Sequence, residues 1–332
     1  MPKLRKADLL NIIVSAVAEC GWNVLYLDTA HPFRLQIYNA EESFRVRIYI
    51  WNITHGGGRA RPVNEYRIQI TGVDHFAPEP GGKSLILGWW GEANVFAGFD
   101  FDRHSGKLGA SPSFQIREES LRQADLNGFS PSPKENQEIA IAFRPDFLVE
   151  YIRNLEALHR FGETPQDLAA LESVARAPEA VNDADLQAVS PERRVVVKSV
   201  QQRMRSSSFR SRVLTVYSHS CAFCGLQLDL VQAAHILPVS HENSTDDTYN
   251  GVAACFLHHA AYDRGLVAFD EHYQVLVNEA EMRRFVEVNR DGGMGKFRAV
   301  IRRLILVPPA VNDRPHIEFV NLANQIRGWH QQ

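Results

Sequence analysis

Two short pairs of cysteine and histidine residues place the strongest constraint on how this chain folds. Cys221 and Cys224 form a C-x₂-C pair, and Cys255 and His258 form a C-x₂-H pair further along. Three thiolates and one imidazole suit a closed tetrahedral zinc site, because soft sulfur ligands satisfy Zn²⁺ and leave no position open for substrate. The chain has 4 cysteines, and all but Cys20 lie in these pairs. We therefore predict a structural zinc site, with ordinary reduced cysteines as the alternative.

A second set of residues is interleaved with this predicted zinc site. His235 lies in Ala-Ala-His-Ile-Leu-Pro, Asn250 in Tyr-Asn-Gly, and His259 in Cys-Phe-Leu-His-His. These motifs, which fall between Phe209 and Leu266, resemble those of the HNH endonuclease family, whose ββα-metal fold cuts phosphodiester bonds. The resemblance extends over residues 191–332.

The resemblance implies a role for each residue of the second set. His235 is expected to be the general base, Asn250 to brace the loop between two strands, and His259 to bind the catalytic metal. Hydrolysis of an anionic phosphodiester requires a base that deprotonates water and a cation that neutralises the developing charge. Histidine is suited to the first task because it titrates near neutral pH. A satisfied core histidine is the alternative for His235.

Asp263 follows His259 by four residues on the helix expected to begin near Cys255. Residues at this spacing share one helix face, so His259 and Asp263 are predicted to hold one hard divalent ion, Mg²⁺. A solvated helix charge is the alternative for Asp263. Many family members carry an acidic residue or a histidine just before the base, whereas this chain has Ala234. Fewer protein ligands imply weak metal affinity, and an inert DNA-binding module stays open as an alternative.

The charge along the chain changes sign near residue 191. Residues 162–190 contain six acidic residues and one basic residue, whereas residues 191–220 contain seven basic residues and one acidic residue. A helix over the second stretch is predicted to lie along a phosphate backbone. Its proposed DNA-binding residues are Arg203, Arg205, Arg210 and Arg212. A solvated helix face that packs Val196, Val200 and Met204 inward is the alternative.

Length and composition set the domain organisation. A chain of 332 residues with 45% hydrophobic side chains is long enough for two cores. We predict a recognition or sensor domain over residues 1–160, an acidic linker over 161–190 and a nuclease domain over 191–332. A net charge of −3 confines DNA contact to patches. Free thiols at a zinc site favour a reducing, cytoplasmic compartment, and no apolar run reaches the roughly 18 residues of a membrane span.

The N-terminal region has the pattern of a mostly β domain with flanking helices. Leu9, Ile13, Ala16, Val17 and Cys20 recur at helical spacing and predict an amphipathic first helix. Between residues 23 and 145, apolar and polar residues alternate between Gly, Pro and Asn punctuation, as in half-buried strands. Helices are predicted over 117–128 and 144–162. The expected fold class is α+β, with a curved N-terminal sheet followed by the zinc-containing ββα-metal domain.

The order of a mostly β domain and an HNH nuclease resembles modification-dependent restriction enzymes, whose first domain reads an altered base. Trp51, Trp89 and Trp90 are the candidates for stacking on a flipped base, and core positions are the alternative for most of them. Because adjacent strand residues face opposite sides, one of Trp89 and Trp90 is expected to leave the core side. A glycine-rich loop places Arg59 and Arg61 as further DNA-binding candidates.

Three hypotheses follow. The leading one is a restriction endonuclease of a defence system that cuts double-stranded DNA, with modified cytosine as a possible target, and acts as a homodimer because one site cuts one strand. The second is a nonspecific nuclease whose N-terminal domain is a receptor for a nucleotide signal or a protein partner. The third is a DNA-binding module without catalysis.

Overall fold

The computed structural model describes residues 3–56, 62 and 64–329 and contains two compact units. The first unit is Met1–Arg205 and the second is Ser206–Gln332. Among the described helices, none combines the length and apolar character needed to cross a membrane.

One mixed sheet forms the centre of the first unit. Within the described residues its strands are β1 (Asn23–Asp28), β2 (Phe33–Tyr38), β3 (Ser43–His55), β4 (Glu65–Gln69), β5 (Lys83–Trp90), β6 (Val95–Phe99), β7 (Ser113–Arg117), β8 (Phe129–Pro133) and β9 (Ile139–Phe143). Their order is β1-β2-β3-β5-β6-β9-β8, and β4 joins the long strand β3 to β7. The β3–β5 pair is parallel and the other pairs are antiparallel.

Helices flank this sheet, so the predicted α+β class is confirmed. They are α1 (Lys6–Glu19), α2 (Phe101–His104), α3 (Glu118–Asn127), α4 (Leu148–Arg153), α5 (Leu155–His159), α6 (Pro165–Arg176) and α7 (Pro191–Val216), which continues into the second unit. Helix α1 follows the predicted periodicity and buries Leu9, Ile13, Ala16 and Val17. The single helix predicted over 144–162 is instead divided into α4 and α5, which meet at Asn154.

Both faces of the central sheet are covered, which overturns the expectation that Trp89 or Trp90 leaves the core side. Alternate residues of β5 point to opposite faces. Leu87 and Trp89 join the core that contains α1, whereas Ile86 and Trp90 join a second core. The two tryptophans are only 5% and 1% exposed. When both faces of a strand are buried, successive side chains can point to opposite faces and both stay in a core.

Residues 161–190 form part of the first unit and do not act as the predicted linker. Leu171 and Val174 of α6, together with Leu186 and Val189, are buried in the same core as α1. Helix α7 adds Val196, Val200 and Met204 to this core, as the packing alternative predicted. The boundary between the two units, at residues 205 and 206, therefore lies within helix α7. It does not coincide with the change of charge near residue 191.

The change of charge near residue 191 reflects ion pairs within the first unit. Acidic residues before α7 pair with basic residues of its part that belongs to the first unit, so these cations are engaged within the chain. The pairs are Arg193 with Asp167 and Glu163, Lys198 with Asp183, and Arg205 with Glu179.

The second unit is built around a strand-strand-helix element. Its elements after α7 are β10 (Val231–His235), β11 (Gly251–Cys255), α8 (Phe256–Asp263), β12 (Val267–Phe269), β13 (Val275–Val277), α9 (Glu279–Glu287), α10 (Met294–Val300) and α11 (Ile317–Ile326). Strands β10 and β11 pair antiparallel, with His235 opposite Gly251. Phe209 and Val213 of α7 pack in the same core as Phe223 and Tyr262. This core holds the hairpin and α8 in place.

Candidate active site and metal centre

The cysteine and histidine pairs meet at one point in the second unit. Cys221, Cys224, Cys255 and His258 each offer a ligand atom, and these atoms all lie within 4.8 Å of one another. The first pair lies on a tight turn in which the Gly225 N–H donates to the Cys221 carbonyl at 2.7 Å and Gly225 adopts a φ of +81°. Cys255 is the N-cap of α8, and His258 follows in its first turn. A turn and a helix start therefore present four ligands to one point.

The spacing of the four atoms fits a tetrahedral ion. Cys224 Sγ and Cys255 Sγ are 3.9 Å apart, and His258 Nδ1 lies 3.2 Å from Cys255 Sγ and 3.7 Å from Cys221 Sγ. Zn–S bonds of about 2.3 Å and Zn–N bonds of about 2.0 Å give a tetrahedron with edges of about 3.5–3.8 Å. Cys221, Cys255 and His258 are buried. The donor set and its enclosure fit a structural zinc ion better than a catalytic one.

The thiols of this centre differ in how readily they ionise. Burial raises the pKa of Cys224 to about 12, and the neighbouring thiolate of Cys221 adds to this effect. Burial also opposes ionisation of Cys221, but hydrogen bonds with His258 and with backbone amides outweigh it and lower the pKa of Cys221 to about 6. Metal coordination requires thiolates, so binding of an ion at this centre is coupled to proton release.

His235 ends strand β10, where the hairpin opens into its connecting loop. Its Nε2 lies 2.9 Å from Oδ1 of Asp246. Its ring stacks on that of Phe209 in α7, with centroids 3.8 Å apart and an angle of 13° between the planes. The His235 side chain is 18% exposed, which is a rim position and not a core position. The sequence did not indicate Asp246 or Phe209 as partners of this histidine.

Asn250 braces the loop between the two strands. Its Oδ1 accepts from the Leu237 N–H at 2.8 Å, and its Nδ2 donates to the carbonyl of Thr245 at 2.8 Å and to Ser244 Oγ at 3.2 Å. The side chain is completely buried. One amide thereby satisfies backbone groups at both ends of the loop, which is the role that the resemblance implies for this residue.

His259 is turned about 100° around α8 from His258 and has two polar neighbours. Its Nδ1 lies 2.8 Å from Oε1 of Gln232, and its Nε2 lies 3.4 Å from Oδ2 of Asp263. An amide oxygen only accepts, so Nδ1 carries a hydrogen, and Nε2 faces the Asp263 carboxylate. Nε2 of His259 and the Asp263 carboxylate can together bind a divalent ion. The contact of Gln232 with Nδ1 orients the imidazole ring for this role.

Position 234, which carries a metal ligand in many members of the family that the motifs resemble, is a buried alanine here. Ala234 is 3% exposed, so a ligand at this position would be buried. Gln232 lies on the same face of β10, because alternate strand residues share a face, and it reaches His259. Among the described residues, the cysteine centre is the one place where three or more His, Cys, Asp or Glu ligands converge. The pair His259 and Asp263 thus offers two protein ligands.

The four arginines predicted to bind DNA fall into two groups. Arg203 donates to the Asp146 carbonyl at 2.9 Å, and Arg205 lies 3.1 Å from a Glu179 oxygen, so both are engaged in the first unit. Arg210 and Arg212 are exposed in the second unit. Arg212 donates to the Asp246 carbonyl at 2.7 Å, which places its guanidinium beside the His235 site. Arg59 and Arg61 lie outside the described residues.

The three tryptophans proposed to stack on a flipped base are core residues. Trp51 is 5% exposed, like Trp89, and donates its Nε1–H to the Thr71 carbonyl at 3.2 Å. Lys6 Nζ covers its ring at 4.4 Å from the centroid. Trp90 packs against Tyr66 with 5.5 Å between ring centroids. All three side chains are buried, which favours the alternative that they are core residues over a base pocket built from them.

Comparison with known proteins identifies two regions of the chain. Residues 221–270 match the family model described as HNH endonuclease. The second unit therefore contains a region similar to HNH endonucleases. This domain match includes the cysteine centre as well as His235, Asn250, His259 and Asp263. Residues 44–152 match the model described as methylase-associated X1.

The whole chain also has a distant likeness among solved structures. A modification-dependent TagI restriction endonuclease is similar over 85% of this chain and 80% of its own, with 11% sequence identity and a TM-score of 0.29. No curated protein matches the sequence.

Proposed function

We propose that this protein is an endonuclease that hydrolyses phosphodiester bonds in double-stranded DNA. The observation that carries the proposal is the placement of His235 at the end of β10 and of His259 in the first turn of α8, on one strand-strand-helix element whose connecting loop is braced by Asn250. His235 is held at a rim with a partner on Nε2, and His259 is held with its Nε2 available to an ion.

The chemistry divides between these residues. His235 takes the proton of a water molecule, whose oxygen then attacks phosphorus while the bond to the 3′-oxygen breaks. His259 and Asp263 would hold the catalytic divalent ion, Mg²⁺ in this proposal, which neutralises charge on the phosphate during the displacement. Cys221, Cys224, Cys255 and His258 would hold structural Zn²⁺, which contributes folding free energy and no reaction step.

The DNA backbone is proposed to cross the C-terminal part of α7. Arg210 and Arg212 are exposed there, and the hydrogen bond from Arg212 to the Asp246 backbone places a cation next to the proposed base. Phosphate contacts of this kind position a nuclease without reading sequence. Arg203 and Arg205 are left out of this surface because they are engaged within the first unit.

The first unit is proposed to select the target, as in restriction of foreign DNA by a defence enzyme. Support comes from the match of residues 44–152 to the model described as methylase-associated X1, a name that associates such regions with methylases. Modified cytosine is therefore the proposed recognition signal, read by residues other than Trp51, Trp89 and Trp90. We further propose a homodimer, because a double-strand break needs two sites, and a cytoplasmic location, because the zinc thiolates need a reducing environment.

Cleavage of matched duplexes tests this function. A plasmid or long duplex containing cytosine, 5-methylcytosine or 5-hydroxymethylcytosine is incubated with the purified chain and Mg²⁺. Preferential cleavage of one modified duplex supports the proposal in full. Equal cleavage of all three supports the nuclease but refutes selection by modification, and activity that requires an added nucleotide or protein favours a ligand-activated nuclease. Binding of DNA without any cleavage would favour the third hypothesis, a DNA-binding module without catalysis.

A further inference from the structure

A carboxylate that the sequence motifs do not include faces the proposed base. Asp246 lies on the loop between β10 and β11, and its Oδ1 is 2.9 Å from Nε2 of His235. The Asp246 side chain is 29% exposed and that of His235 is 18% exposed, so both groups are partly removed from solvent. A hydrogen bond in such a setting is stronger than one on an open surface.

The chemistry of the two groups determines where the imidazole hydrogen lies. An ionised carboxylate only accepts hydrogen bonds, so Nε2 of His235 carries the hydrogen and Nδ1 bears the lone pair. The stack on Phe209, with 3.8 Å between centroids, limits tilting of the ring. One hydrogen bond and one ring contact together define the position of the nitrogen that can accept a proton from water.

Asp246 is itself held by its neighbours in the loop. Arg212 donates to the Asp246 carbonyl at 2.7 Å, and Asn250 donates to the carbonyl of the preceding residue, Thr245, at 2.8 Å. The backbone on which the carboxylate stands is therefore fixed from α7 and from the start of β11. A carboxylate on a braced loop can hold an imidazole in one orientation, which a freely moving loop residue cannot do.

We propose that Asp246 is a positioning residue for DNA hydrolysis and acts through His235. It holds the tautomer in which Nδ1 is the base, and its negative charge stabilises the imidazolium formed when Nδ1 accepts the proton. In this step an O–H bond of water breaks and its proton moves to Nδ1. The water oxygen bonds to phosphorus, the bond to the 3′-oxygen breaks, and that oxygen takes a proton from solvent. Asp246 stays ionised throughout. The inference rests on the proposed nuclease function.

Steady-state kinetics of Asp246→Ala test this role, with Asp247→Ala as the matched control. Asp247 is the next residue, but its carboxylate accepts from the Tyr249 hydroxyl at 2.8 Å and not from His235. Residues that orient a metal ligand typically contribute about 10- to 100-fold to activity, and we take the same order for a residue that orients a base. We expect Asp246→Ala to lower kcat by about this factor with little change in KM. Asp247→Ala should retain the parent kcat.

A double-mutant cycle separates positioning from a structural role. If Asp246 acts through His235, adding Asp246→Ala to His235→Ala should cause no further loss of kcat. If the two losses multiply, the residues act independently and the inference is wrong. A loss in Asp246→Ala that excess Mg²⁺ restores would make Asp246 an ion ligand, which also overturns the positioning role.

The imidazole tautomer gives a readout that does not depend on activity. Two-bond ¹H–¹⁵N correlation spectra of the parent protein should show neutral His235 as the Nε2–H tautomer, and Asp246→Ala should show a mixture. An Nδ1–H tautomer in the parent would overturn the inference even if DNA is cut. Cleavage by the parent with an unchanged kcat in Asp246→Ala would do the same and leave the nuclease intact. A parent protein that never cuts DNA refutes both proposals.

Discussion

His258 and His259 are adjacent in the chain, yet their rings serve different sites. His258 Nδ1 lies 3.2 Å from Cys255 Sγ, whereas His259 Nδ1 lies 2.8 Å from Gln232 Oε1. Successive residues of a helix point about 100° apart, so the first turn of α8 faces the metal centre with one residue and the proposed active site with the next. An ion bound at the cysteine cluster would therefore tie down the first turn of α8, which also carries the proposed catalytic residue His259.

Loss of the cysteine centre should unfold the second unit. Structural zinc contributes about 10–16 kcal/mol of apparent binding free energy in small zinc domains, so Cys221→Ser and Cys255→Ser should lose the metal and the cooperative thermal transition of this unit. Metal content and calorimetry of the purified variants measure both effects. Cys20→Ser is the control, because Cys20 lies 3.2 Å from the Asp146 carbonyl, away from the cluster. A variant that melts like the parent and keeps its metal would refute the ligand assignment.

Asn250→Ala should destabilise the loop and lower activity together. The substitution leaves the buried Leu237 N–H and the Thr245 carbonyl without their partner. Each buried polar group left unsatisfied costs about 1–3 kcal/mol. Chemical denaturation of the variant measures the loss of unfolding free energy. Asn243→Ala, an exposed change in the same loop, should have little effect. Equal stability of the two variants would show that Asn250 does not brace the loop.

Changes around His259 should appear as altered metal dependence. His259→Ala removes one of two proposed ligands and should abolish cleavage at ordinary Mg²⁺ concentrations. Asp263→Ala should give a partial loss, because its carboxylate is 59% exposed and water can replace it. Gln232→Ala should raise the Mg²⁺ concentration for half-maximal rate by about 10- to 100-fold, as for other residues that orient a metal ligand. Glu287→Ala, an exposed change at the end of α9, serves as the control. Unchanged Mg²⁺ titrations in all three variants would place the ion elsewhere.

Substitutions of the arginines of α7 should have different effects on the salt dependence of DNA binding, according to their position in the helix. Each lost phosphate contact reduces the slope of log K against log salt by about 0.9. Arg210→Ala and Arg212→Ala should show this reduction. Arg205→Ala should leave the slope unchanged and cost at most about 1 kcal/mol of stability, because its partner is Glu179. A reduced slope in Arg205→Ala with none in Arg212→Ala would reverse the proposed DNA surface.

Regular patterns in the sequence predicted most of the fold. Alternation of apolar and polar residues between residues 23 and 145 predicted strands such as β2, and Gly128 is the C-cap of α3, the helix predicted over 117–128. Strand β8 was missed because two of its five residues are prolines, which remove backbone donors. The break between α4 and α5 was missed because Asn154 bonds back to Glu150, a local contact without a periodic signal.

The candidate site was predictable only where short motifs specify it. The cysteine centre, His235, Asn250 and His259 have fixed spacings in the chain. Asp246 and Gln232 could not be identified in this way, because their contacts depend on the path of a loop and on which strand face meets α8. The burial of both Trp89 and Trp90 could not be predicted for a related reason. Whether both faces of a sheet are covered depends on how the whole first unit packs.

The central claim is that His235 is the base of a metal-dependent DNA nuclease. The most direct test compares the parent protein with His235→Ala in a plasmid cleavage time course with Mg²⁺ and with EDTA. A positioned general base contributes about 10²–10⁴-fold. We predict Mg²⁺-dependent cleavage by the parent, a loss of at least about 10²-fold in the variant, and similar metal content and DNA affinity for both. Cleavage by His235→Ala at the parent rate would contradict it.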